Sequence, residues 1–525
     1  MERSAPGFAG PADGPPLDYA RDLGDPGEFP YTRGARGALA RSAGWTHREL
    51  SGEGSPRRSN RQLHYLLGHG ARGLDVIGDA ATMGLVDPDH LYARHSVGTQ
   101  GVSVCRREDF FELYDGVPMG EVSVSNSMNA PFCIAGLYLT AQHNGTDPAL
   151  IRGSVINAPF FMEDYGYATH LPFPVRMRMA LDAIEFATTH LPRFHPFVED
   201  TYFISDGGPG PVDEMALGFV EIRAVARALI ARGLDIDSFA PRIAVLVNCR
   251  MDVFTEIAKI RATRRIFARL MRDELGARDP RSWSPNVTVH TSGASLTAQQ
   301  PVNNIVRGAL QAFAMAAAGV KAMEISAFDE AFRTPSGTAH LVGLRTQQII
   351  ALETEVSASA DPFGGSWFIE GLTDDIEARI LARVAEIEAA GDPAELFESG
   401  YFRGIFQDAM ERFGREISDG SRTVVGVNAF SMPPEDDTLL KEVSEVKIRP
   451  DDEHTERIIA WKAGRDMDRV AAGLAHVNEG VRTGANTVEL IIHAFEHDAT
   501  VGEIAGEIRV ASGLKRDPMN PGAAA

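Results

Sequence analysis

Cysteine is scarce in this sequence. Among 525 residues only Cys105, Cys133 and Cys249 occur, and no two of them form a CxxC pair. An odd and widely spaced set of cysteines supports neither a disulfide framework nor a structural zinc site. The pattern is typical of a protein of the reducing cytoplasm, and that is the localisation we expect.

Positive charge and long apolar runs are also in short supply. The chain has 51 Lys and Arg against 72 Asp and Glu, which gives a formal net charge of −21. A polyanion must be met by a surplus of cations, so we expect neither nucleic acid nor an anionic membrane as a partner. No apolar run approaches the roughly 20 residues that span a bilayer, and the amino terminus lacks the continuous apolar stretch of a signal peptide.

Alternating strand and helix patterns fill the middle of the chain. Eight short β-branched segments are predicted as strands, the last of them the weakest: residues 73–78, 121–125, 153–157, 200–205, 242–247, 287–292, 321–326 and 355–360. Amphipathic helical patterns lie between them, as at 213–234, 255–275 and 303–319. Eight such units predict an α/β fold, a closed (β/α)8 TIM barrel, with a doubly wound open sheet as the alternative.

Composition divides the chain into three predicted parts. Residues 1–30 are dense in Pro and Gly, which opposes both helix and sheet, and are predicted to form an extended amino-terminal arm. Residues 31–372 contain the barrel. Residues 373–525 are predicted to be a helical carboxy-terminal extension that packs on the barrel or on another subunit.

Polar residues follow most of the predicted strands, where barrel enzymes build their sites. They are Asp79, Asn126, Asn157, Ser205, Asp206, Asn248, His290, Ser326, Asp329 and Glu330. Most of them also suit the N-cap of the next helix. His290 differs, because an imidazole before a Gly-rich turn can exchange a proton near neutral pH, with Asp206, Glu324 or Glu330 as partner. A purely structural histidine fits the same position, and no HExxH, phosphate-loop or GxSxG string occurs, so no metal site is predicted.

Ten strings in a fixed order carry a resemblance to an enzyme family. Among them are GWTHRELSG (44–52), EIAKIRATRRIFARL (256–270), HTSGASLTAQQPVNN (290–304) and DPFGGSWFIE (361–370). The sequence resembles the large subunits of the acyl-CoA mutases that act on methylmalonyl-CoA, isobutyryl-CoA and 2-hydroxyisobutyryl-CoA. The resemblance implies an isomerase whose barrel holds a CoA thioester along its axis while an adenosylcobalamin-derived radical starts a carbon-skeleton rearrangement.

The resemblance also bears on cofactor and partners. The family carries cobalamin on a module with a DxHxxG string, whose His ligates cobalt. The only Asp-x-His of this chain is Asp452-Glu453-His454, and Arg457 stands where the glycine would be. The resemblance therefore implies that adenosylcobalamin is used only with a partner, a small cobalamin-binding subunit. A homodimer is the alternative assembly, and the absence of any cofactor is the alternative to cobalamin.

Several positions match family residues that contact CoA or the adenosyl group. Thr46, Arg48 and Arg242 match CoA contacts, and an Arg suits a diphosphate because its donors meet phosphate oxygens in pairs. Ser326 and Glu330 stand where the family contacts the adenosyl ribose, with Ser326 replacing an Asn. Coenzyme A is thus implied as part of the substrate, although the arm residues Arg36, Ala38 and Ala43 differ from the family.

Substrate-side positions depart further from the family. Apolar residues replace polar or aromatic ones: Leu50, Ile77, Ile156 and Phe203, the last in place of the His that polarises the thioester carbonyl. Glu324 precedes Ser326 and is assigned to the substrate side as well. No basic residue lies near Gly166, where methylmalonyl-CoA mutase has the Arg that binds the substrate carboxylate. The resemblance therefore implies a non-dicarboxylic acyl-CoA.

Two other functions are kept beside the mutase. The first is a cobalamin-independent enzyme on the same barrel that acts on a biosynthetic intermediate by acid and base catalysis at His290. The second is a catalytically silent scaffold for an active homologous subunit.

Overall fold

The computed structural model describes residues 17–35, 44–161, 169–444 and 448–519. Its centre is one sheet of parallel strands, whose spatial order is β1-β9-β8-β7-β6-β5-β4-β3-β2. The strands are β1 Thr46–His47, β2 Leu50–Ser51, β3 Gly73–Ile77, β4 Ser123–Ser127, β5 Gly153–Ile156, β6 Phe194–Asp200, β7 Ile243–Cys249, β8 Asn286–Thr291 and β9 Ala322–Glu324.

Strands β1 and β2 close the sheet into a barrel. Only two residues separate them; β1 pairs with β9 while β2 pairs with β3. The N–H of Arg48, between them, donates to the carbonyl oxygen of Met323 at 3.0 Å. The two segments are therefore the two ends of one irregular strand, and the nine segments form an eight-membered barrel, as predicted.

Helices cover the outside of this barrel and continue after its last strand. The α-helices are Pro56–Gly68, Ala80–Met83, Arg107–Leu113, Ala130–His143, Phe173–His190, Thr201–Asp206, Pro211–Ala231, Ile236–Phe239, Val253–Arg269, Pro280–Trp283, Asn303–Ala318, Gly337–Leu352, Trp367–Ala390, Pro393–Glu398, Tyr401–Ser418, Thr438–Ser444, Asp452–Ala463, Met467–Thr483, Thr487–Glu496 and Val501–Ala511. The three amphipathic helices predicted from the sequence are among them. In the described part of the chain no helix is long and apolar enough to cross a membrane.

The strand predicted at 200–205 is wrong. Residues Thr201–Asp206 form a helix, because the Asp200 side chain accepts a hydrogen bond from the Phe203 N–H and so caps its first turn. The strand is the preceding segment Phe194–Asp200, which contains Pro196. A proline inside a strand pattern argues against a strand, so the sequence signal was weak here. The sheet accommodates Pro196 because it lies where the pairing register of β5 and β6 shifts and before β6 begins to pair with β7.

The strand predicted at 355–360 is also wrong. Residues Val356–Ala358 form a short 3-10 helix, and Glu355 before it has a left-handed backbone with φ of 54°. The missing barrel strand is the β1–β2 segment near the amino terminus. Each of its pieces is only two residues long and so gives no local strand pattern. Thr46 pairs with Ala322, more than 200 residues away in the sequence, whereas Leu50 pairs with Asp75.

The helices after the barrel pack on it from two sides. Ile376, Ile380 and Phe402 belong to the same apolar core as the outward faces of β6, β7 and β8. Val477 and Ile491, from the last helices, join a second core around β3, β4 and β5. Apolar packing on the outer faces of the strands therefore holds the barrel wall in place, and the inner faces can carry polar side chains.

Candidate active site

Three polar side chains stand in register inside the barrel. Asn248, His290 and Glu324 are direct neighbours across β7, β8 and β9, and all three are buried. Their chain neighbours Val247 and Val289 face outward into the apolar core. Because side chains alternate along a strand, the three polar groups face the barrel lumen near the carboxyl ends of the strands.

Contacts with Ser326 and Tyr202 fix the His290 ring. The Ser326 hydroxyl donates to the carbonyl oxygen of Thr291 at 2.6 Å and lies 3.0 Å from His290 Nε2. Since its proton is already used, that hydroxyl accepts from Nε2–H, which leaves Nδ1 of the neutral ring as an acceptor. The Tyr202 ring stacks on His290 with centroids 4.4 Å apart and an angle of 8°. Burial lowers the pKa of His290 to about 3, so the ring is neutral at physiological pH.

Glu324 is one of the three partners predicted for His290, and the structure brings these two residues together. Its Oε1 lies 3.8 Å from His290 Nδ1. Burial holds the pKa of Glu324 well above its ordinary value; nearby Asp75 raises it further, and Arg48 partly offsets this. Glu324 Oε2 is buried and has no hydrogen-bond partner among the described residues. Burial therefore favours the protonated form of this carboxyl group, which faces the lumen with one oxygen available to a ligand.

Asp206 lies beside this group. Its carboxylate accepts from Asn248 Nδ2 at 2.6 Å, from Ser292 Oγ at 3.2 Å and from the Ala294 N–H at 3.3 Å. Burial raises the pKa of Asp206, whereas hydrogen bonds led by that of the Tyr202 hydroxyl lower it. Tyr202 thus connects Asp206 to His290, and these two predicted catalytic residues belong to one network.

Leu50, Ile77 and Glu330 line a cavity of about 410 Å³ at the carboxyl ends of β2 and β3. Glu330 Oε2 accepts from the Ala327 N–H at 2.8 Å. Burial raises the pKa of Glu330 to about 7, while the bond from Ala327 opposes the shift. Two predicted substrate residues and one predicted adenosyl contact therefore share one cavity.

The opposite wall of the lumen is apolar. Ile156, Val198, Ala244 and Leu246 form a small buried cluster with Tyr202, and Phe203 packs against it half-buried. The predicted substrate residues Ile156 and Phe203 are thus placed together, across from the polar side chains of β3, β8 and β9. The lumen can hold a group with one polar edge and one apolar edge.

The amino ends of the strands carry the remaining predicted residues. Thr46 begins β1, Arg242 precedes β7, and Arg48 Nη2 donates to Ser123 Oγ at 2.8 Å at the start of β4. A basic residue also directly precedes each of four other strands: Arg72, Arg152, Arg193 and Lys321. The pKa of His195 in this region is lowered to about 3 by burial and then by the positive charges of Lys321, Arg242 and Arg48. This mouth of the barrel is positively charged.

Several residues singled out from the sequence either lie outside the described part of the chain or have a structural role. Gly166 and the arm residues Arg36, Ala38 and Ala43 lie outside the described residues. Asp79 caps the next helix by accepting from the Thr82 N–H at 2.8 Å. His454 is buried in the helix Asp452–Ala463, and its Nδ1 accepts from Arg457 Nη2 at 3.0 Å.

Sequence reasoning missed Asp75, Glu49 and Tyr202. Asp75 pairs in register with Leu50, and burial raises its pKa to about 6 against the lowering effect of Arg48. Glu49 is buried between β1 and β2, and burial holds its pKa well above the ordinary value. The alternation of GLDVIG could have placed Asp75 on the inner face. Tyr202 was missed because residues 200–205 were predicted to be a strand, whereas Thr201–Asp206 form a helix.

A parallel eight-membered barrel with titratable side chains at one end and cations at the other is the architecture of a TIM-barrel enzyme. The family described as methylmalonyl-CoA mutase matches residues 12–514, and the chain belongs to this family. The methylmalonyl-CoA mutase of Escherichia coli (strain K12) is 32% identical over 490 residues, which cover 93% of this chain and 68% of that protein. The 2-hydroxyisobutanoyl-CoA mutase large subunit of Aquincola tertiaricarbonis is 31% identical over 505 residues, covering 94% and 88% respectively. The chain is therefore an isomerase, and the resemblance inferred from the sequence is confirmed.

Proposed function

We propose that this chain is the large subunit of an acyl-CoA mutase that rearranges the carbon skeleton of a non-dicarboxylic acyl group. In this proposal a separate small subunit supplies adenosylcobalamin over the carboxyl-end mouth of the barrel. The observation that carries the proposal is the contrast between the two ends of one lumen. Cations surround the amino end, whereas apolar side chains and buried carboxyl groups of raised pKa line the carboxyl end.

The cationic mouth supports binding of the CoA phosphates. A chain of net charge −21 can bind a polyanion only where its cations are gathered locally. The cations that precede successive strands concentrate positive charge at this mouth of the barrel. Arg242 is half-buried there and makes no ion pair with any described residue. An unpaired guanidinium can meet two phosphate oxygens at once. The pantetheine arm would then run along the lumen past Arg48.

The carboxyl end supports an acyl group without a second carboxylate. Asp75, Glu324 and Glu330 already crowd this end, and Arg333 of the cavity lies 3.7 Å from Asp329, which balances its charge. A further carboxylate would be desolvated among acidic groups, which is costly. The apolar wall of Ile156 and Phe203 suits an alkyl group instead.

Glu324 offers a hydrogen-bond donor for the thioester carbonyl. Phe203 occupies the position at which the family places the polarising His, and an aromatic ring cannot donate. Burial raises the pKa of Glu324 well above its ordinary value, which favours the protonated form, and Glu324 has an unpartnered oxygen among the described residues. A buried carboxylic acid that stays neutral at pH 7 can donate to a carbonyl oxygen. We assign Glu324 this role.

Adenosylcobalamin fits the chain in part. Glu330 is half-buried at the carboxyl-end cavity and can accept from ribose hydroxyls. His454, by contrast, is buried in a helix and bonded to Arg457, so it cannot serve as the cobalt ligand. When bound, the cofactor would supply the radical that starts the rearrangement. The chain's own residues bind CoA, hold the acyl group between the polar and apolar walls and exclude water.

Calorimetric titration of CoA into the full chain tests the first part of this proposal. We expect Arg242→Ala to weaken binding about tenfold, which corresponds to about 1.4 kcal/mol. Arg412→Ala is the matched control, because Arg412 is exposed on the helix Tyr401–Ser418 and should leave the affinity unchanged. Product analysis with branched acyl-CoA esters, adenosylcobalamin and a small subunit tests the reaction. Absence of CoA binding to the wild type would overturn the proposal.

One observation favours the cobalamin-independent alternative. Glu330 has a pKa of about 7 beside a cavity, which suits a group that both takes and gives a proton at neutral pH. His290 is less suited because its pKa of about 3 makes it a weak base. Turnover without cobalamin that is lost in Glu330→Gln would establish this alternative. No turnover under any of these conditions would favour the silent scaffold.

A further inference from the structure

Three buried carboxyl groups surround the lumen of the barrel at nearly equal intervals. They are Asp75 on β3, Asp200 at the end of β6 and Glu324 on β9. In the closed barrel three strand steps lead from β3 to β6, three lead from β6 to β9, and two lead back to β3 through the β1–β2 segment. We call these three groups the carboxyl triad.

The neighbours of the carboxyl triad show which way its side chains face. Val76 and Met323, which adjoin two of its members in the chain, belong to the apolar cores outside the barrel. Val198, two residues before Asp200, lies in the apolar cluster inside the barrel. Because side chains alternate along a strand, all three carboxyl groups point into the lumen.

The carboxyl triad is short of positive charge. Burial raises the pKa of all three groups, that of Asp200 to about 8. Asp75 raises the pKa of the other two further, while Arg48 partly offsets the shift of Asp75 and Glu324. Burial lowers the pKa of the nearby His290 to about 3, so this ring adds no charge. Three desolvated acidic groups thus face one guanidinium, which favours the binding of a further cation.

Unpartnered acceptor atoms accompany the carboxyl triad. Asp200 Oδ2 and Asn248 Oδ1 are buried and have no hydrogen-bond donor among the described residues. The side chain of Asn248 is oriented by its own bond from Nδ2 to Asp206 at 2.6 Å, so its free oxygen is an observation independent of the acidic groups. Buried acceptors are nearly always paired in folded proteins. Two unpaired acceptors on the adjacent strands β6 and β7 therefore indicate a ligand that brings donors.

A protonated amine matches this set of acceptors. An ammonium group has three donors and no acceptor, whereas a hydroxyl group has one donor and a methyl group has none. Its charge also complements the carboxyl triad, which a hydroxyl group cannot do. The apolar wall of Ile156 and Leu246 can hold the carbon chain beside it. Among the described residues no group of His, Cys, Asp and Glu is arranged to hold a metal ion, so an organic cation fits better.

We propose that the acyl group of the substrate carries a protonated amino group, which Asp75, Asp200 and Asn248 bind inside the lumen. Glu324 remains the donor to the thioester carbonyl and adds to the negative field of the carboxyl triad. This inference rests on the proposed function, because CoA bound at the amino end is what brings the acyl group to the triad. On binding, the ammonium group stabilises the ionised form of Asp200, whose proton is released to the solvent.

Calorimetric titration of β-alanyl-CoA and butyryl-CoA into the full chain tests the inference. The two acyl groups have the same length and differ in a terminal –NH3+ or –CH3. We expect β-alanyl-CoA to bind about tenfold more tightly, and Asp200→Asn to reduce this preference about fivefold. Asparagine can keep the N-cap bond from the Phe203 N–H, so the variant should fold. Asp79→Asn is the matched control and should keep the preference, because Asp79 is also a buried N-cap but both its oxygens are used, by the Thr82 and Gly98 N–H groups.

The outcomes separate this inference from the proposed function. If butyryl-CoA binds as tightly as β-alanyl-CoA, or if 3-hydroxypropionyl-CoA binds more tightly than both, the inference is overturned while CoA binding still stands. If none of the three esters binds, the proposed function fails and the inference fails with it.

A proton-release measurement on the wild type covers the case in which the variants fail to fold. The titrations are repeated at pH 7 in phosphate and in Tris, whose ionisation enthalpies differ, so that the observed heats report the protons released. Burial raises the pKa of Asp200 to about 8, which favours its protonated form at this pH. Binding of β-alanyl-CoA should therefore release up to about one proton more than binding of butyryl-CoA. Equal proton release for the two esters would refute the inference.

Discussion

Lys259 holds together a buried group of charges behind the candidate site. It lies in the helix Val253–Arg269 and is wholly buried, with Nζ 2.8 Å from Glu214 Oε2 and 2.6 Å from Glu256 Oε2. Nζ also donates to the carbonyl oxygen of Asn248 at 2.8 Å. Asn248 in turn holds Asp206 through its side chain. We consider Lys259→Met, which keeps a similar shape and removes the charge.

The expected loss follows from what the substitution leaves behind. Two fully buried carboxyl groups lose their common cation, and breaking a buried pair in this way costs about 3–5 kcal/mol. The Asn248 carbonyl loses a donor, which adds roughly 1 kcal/mol. Burial raises the pKa of Glu214 and Lys259 lowers it, so without the lysine this carboxyl takes up a proton more readily. The cost should therefore be largest at alkaline pH and smaller at pH 5.

Differential scanning calorimetry measures this loss. For domains of 150–250 residues 1 kcal/mol shifts Tm by about 2–4 °C, and less for a longer chain, so we expect a decrease on the order of 5 °C at pH 8. Glu214→Gln combined with Lys259→Met should recover part of the loss. Arg227→Met is the control, since Arg227 is exposed and its bond of 2.8 Å to Glu274 contributes less than about 1 kcal/mol. A Lys259→Met variant as stable as the wild type at pH 8 would refute the reasoning.

Four further outcomes are expected. Burial raises the pKa of Asp200 to about 8, above its unfolded value of 3.8. The contribution of Asp200 to the free energy of unfolding is therefore present at low pH. It is lost as pH rises toward 8, by about 1.4 kcal/mol per pH unit. The Asp200→Asn variant can keep the hydrogen bond from the Phe203 N–H but carries no titrating group. Its Tm should therefore change less between pH 5 and 8 than the Tm of the wild type. Equal changes of Tm with pH in the two proteins would contradict this expectation. The Ser326→Ala variant should leave the His290 Nε2–H without an acceptor, which should lower the free energy of unfolding by about 1–3 kcal/mol. The nitrogen-15 resonances of the His290 ring should shift as well. Unchanged resonances would disprove the assigned tautomer. Adenosylcobalamin followed by ultraviolet-visible spectra should bind tightly only when a small subunit is added. Methylmalonyl-CoA should not be converted to succinyl-CoA, with or without that subunit.

The sequence predicted the barrel because its middle strands are encoded locally. Buried parallel strands such as Ile243–Cys249 are short β-branched runs between amphipathic helices, and this alternation is visible without any tertiary information. The errors occurred where local signals conflict with the fold. Pro196 concealed a true strand, and the β-forming residues of Thr201–Asp206 became a helix once Asp200 capped it. The closing strand was missed because its two pieces are only two residues long, and one of them is held by β9, a partner distant in the sequence.

The sequence by itself also determined which chemical groups are available: His290, Glu324, Ser326, Asp206 and Glu330 near the carboxyl ends of strands, and Arg48 and Arg242 as matches to family contacts with CoA. Only the tertiary structure decided their states. Burial among residues from other strands lowers the pKa of His290 to about 3 and raises the pKa of Glu324 well above its ordinary value, and the His290 ring stacks on Tyr202. A pKa depends on desolvation and on neighbouring charges. These are fixed by packing between segments far apart in the chain, so residue order alone does not specify them.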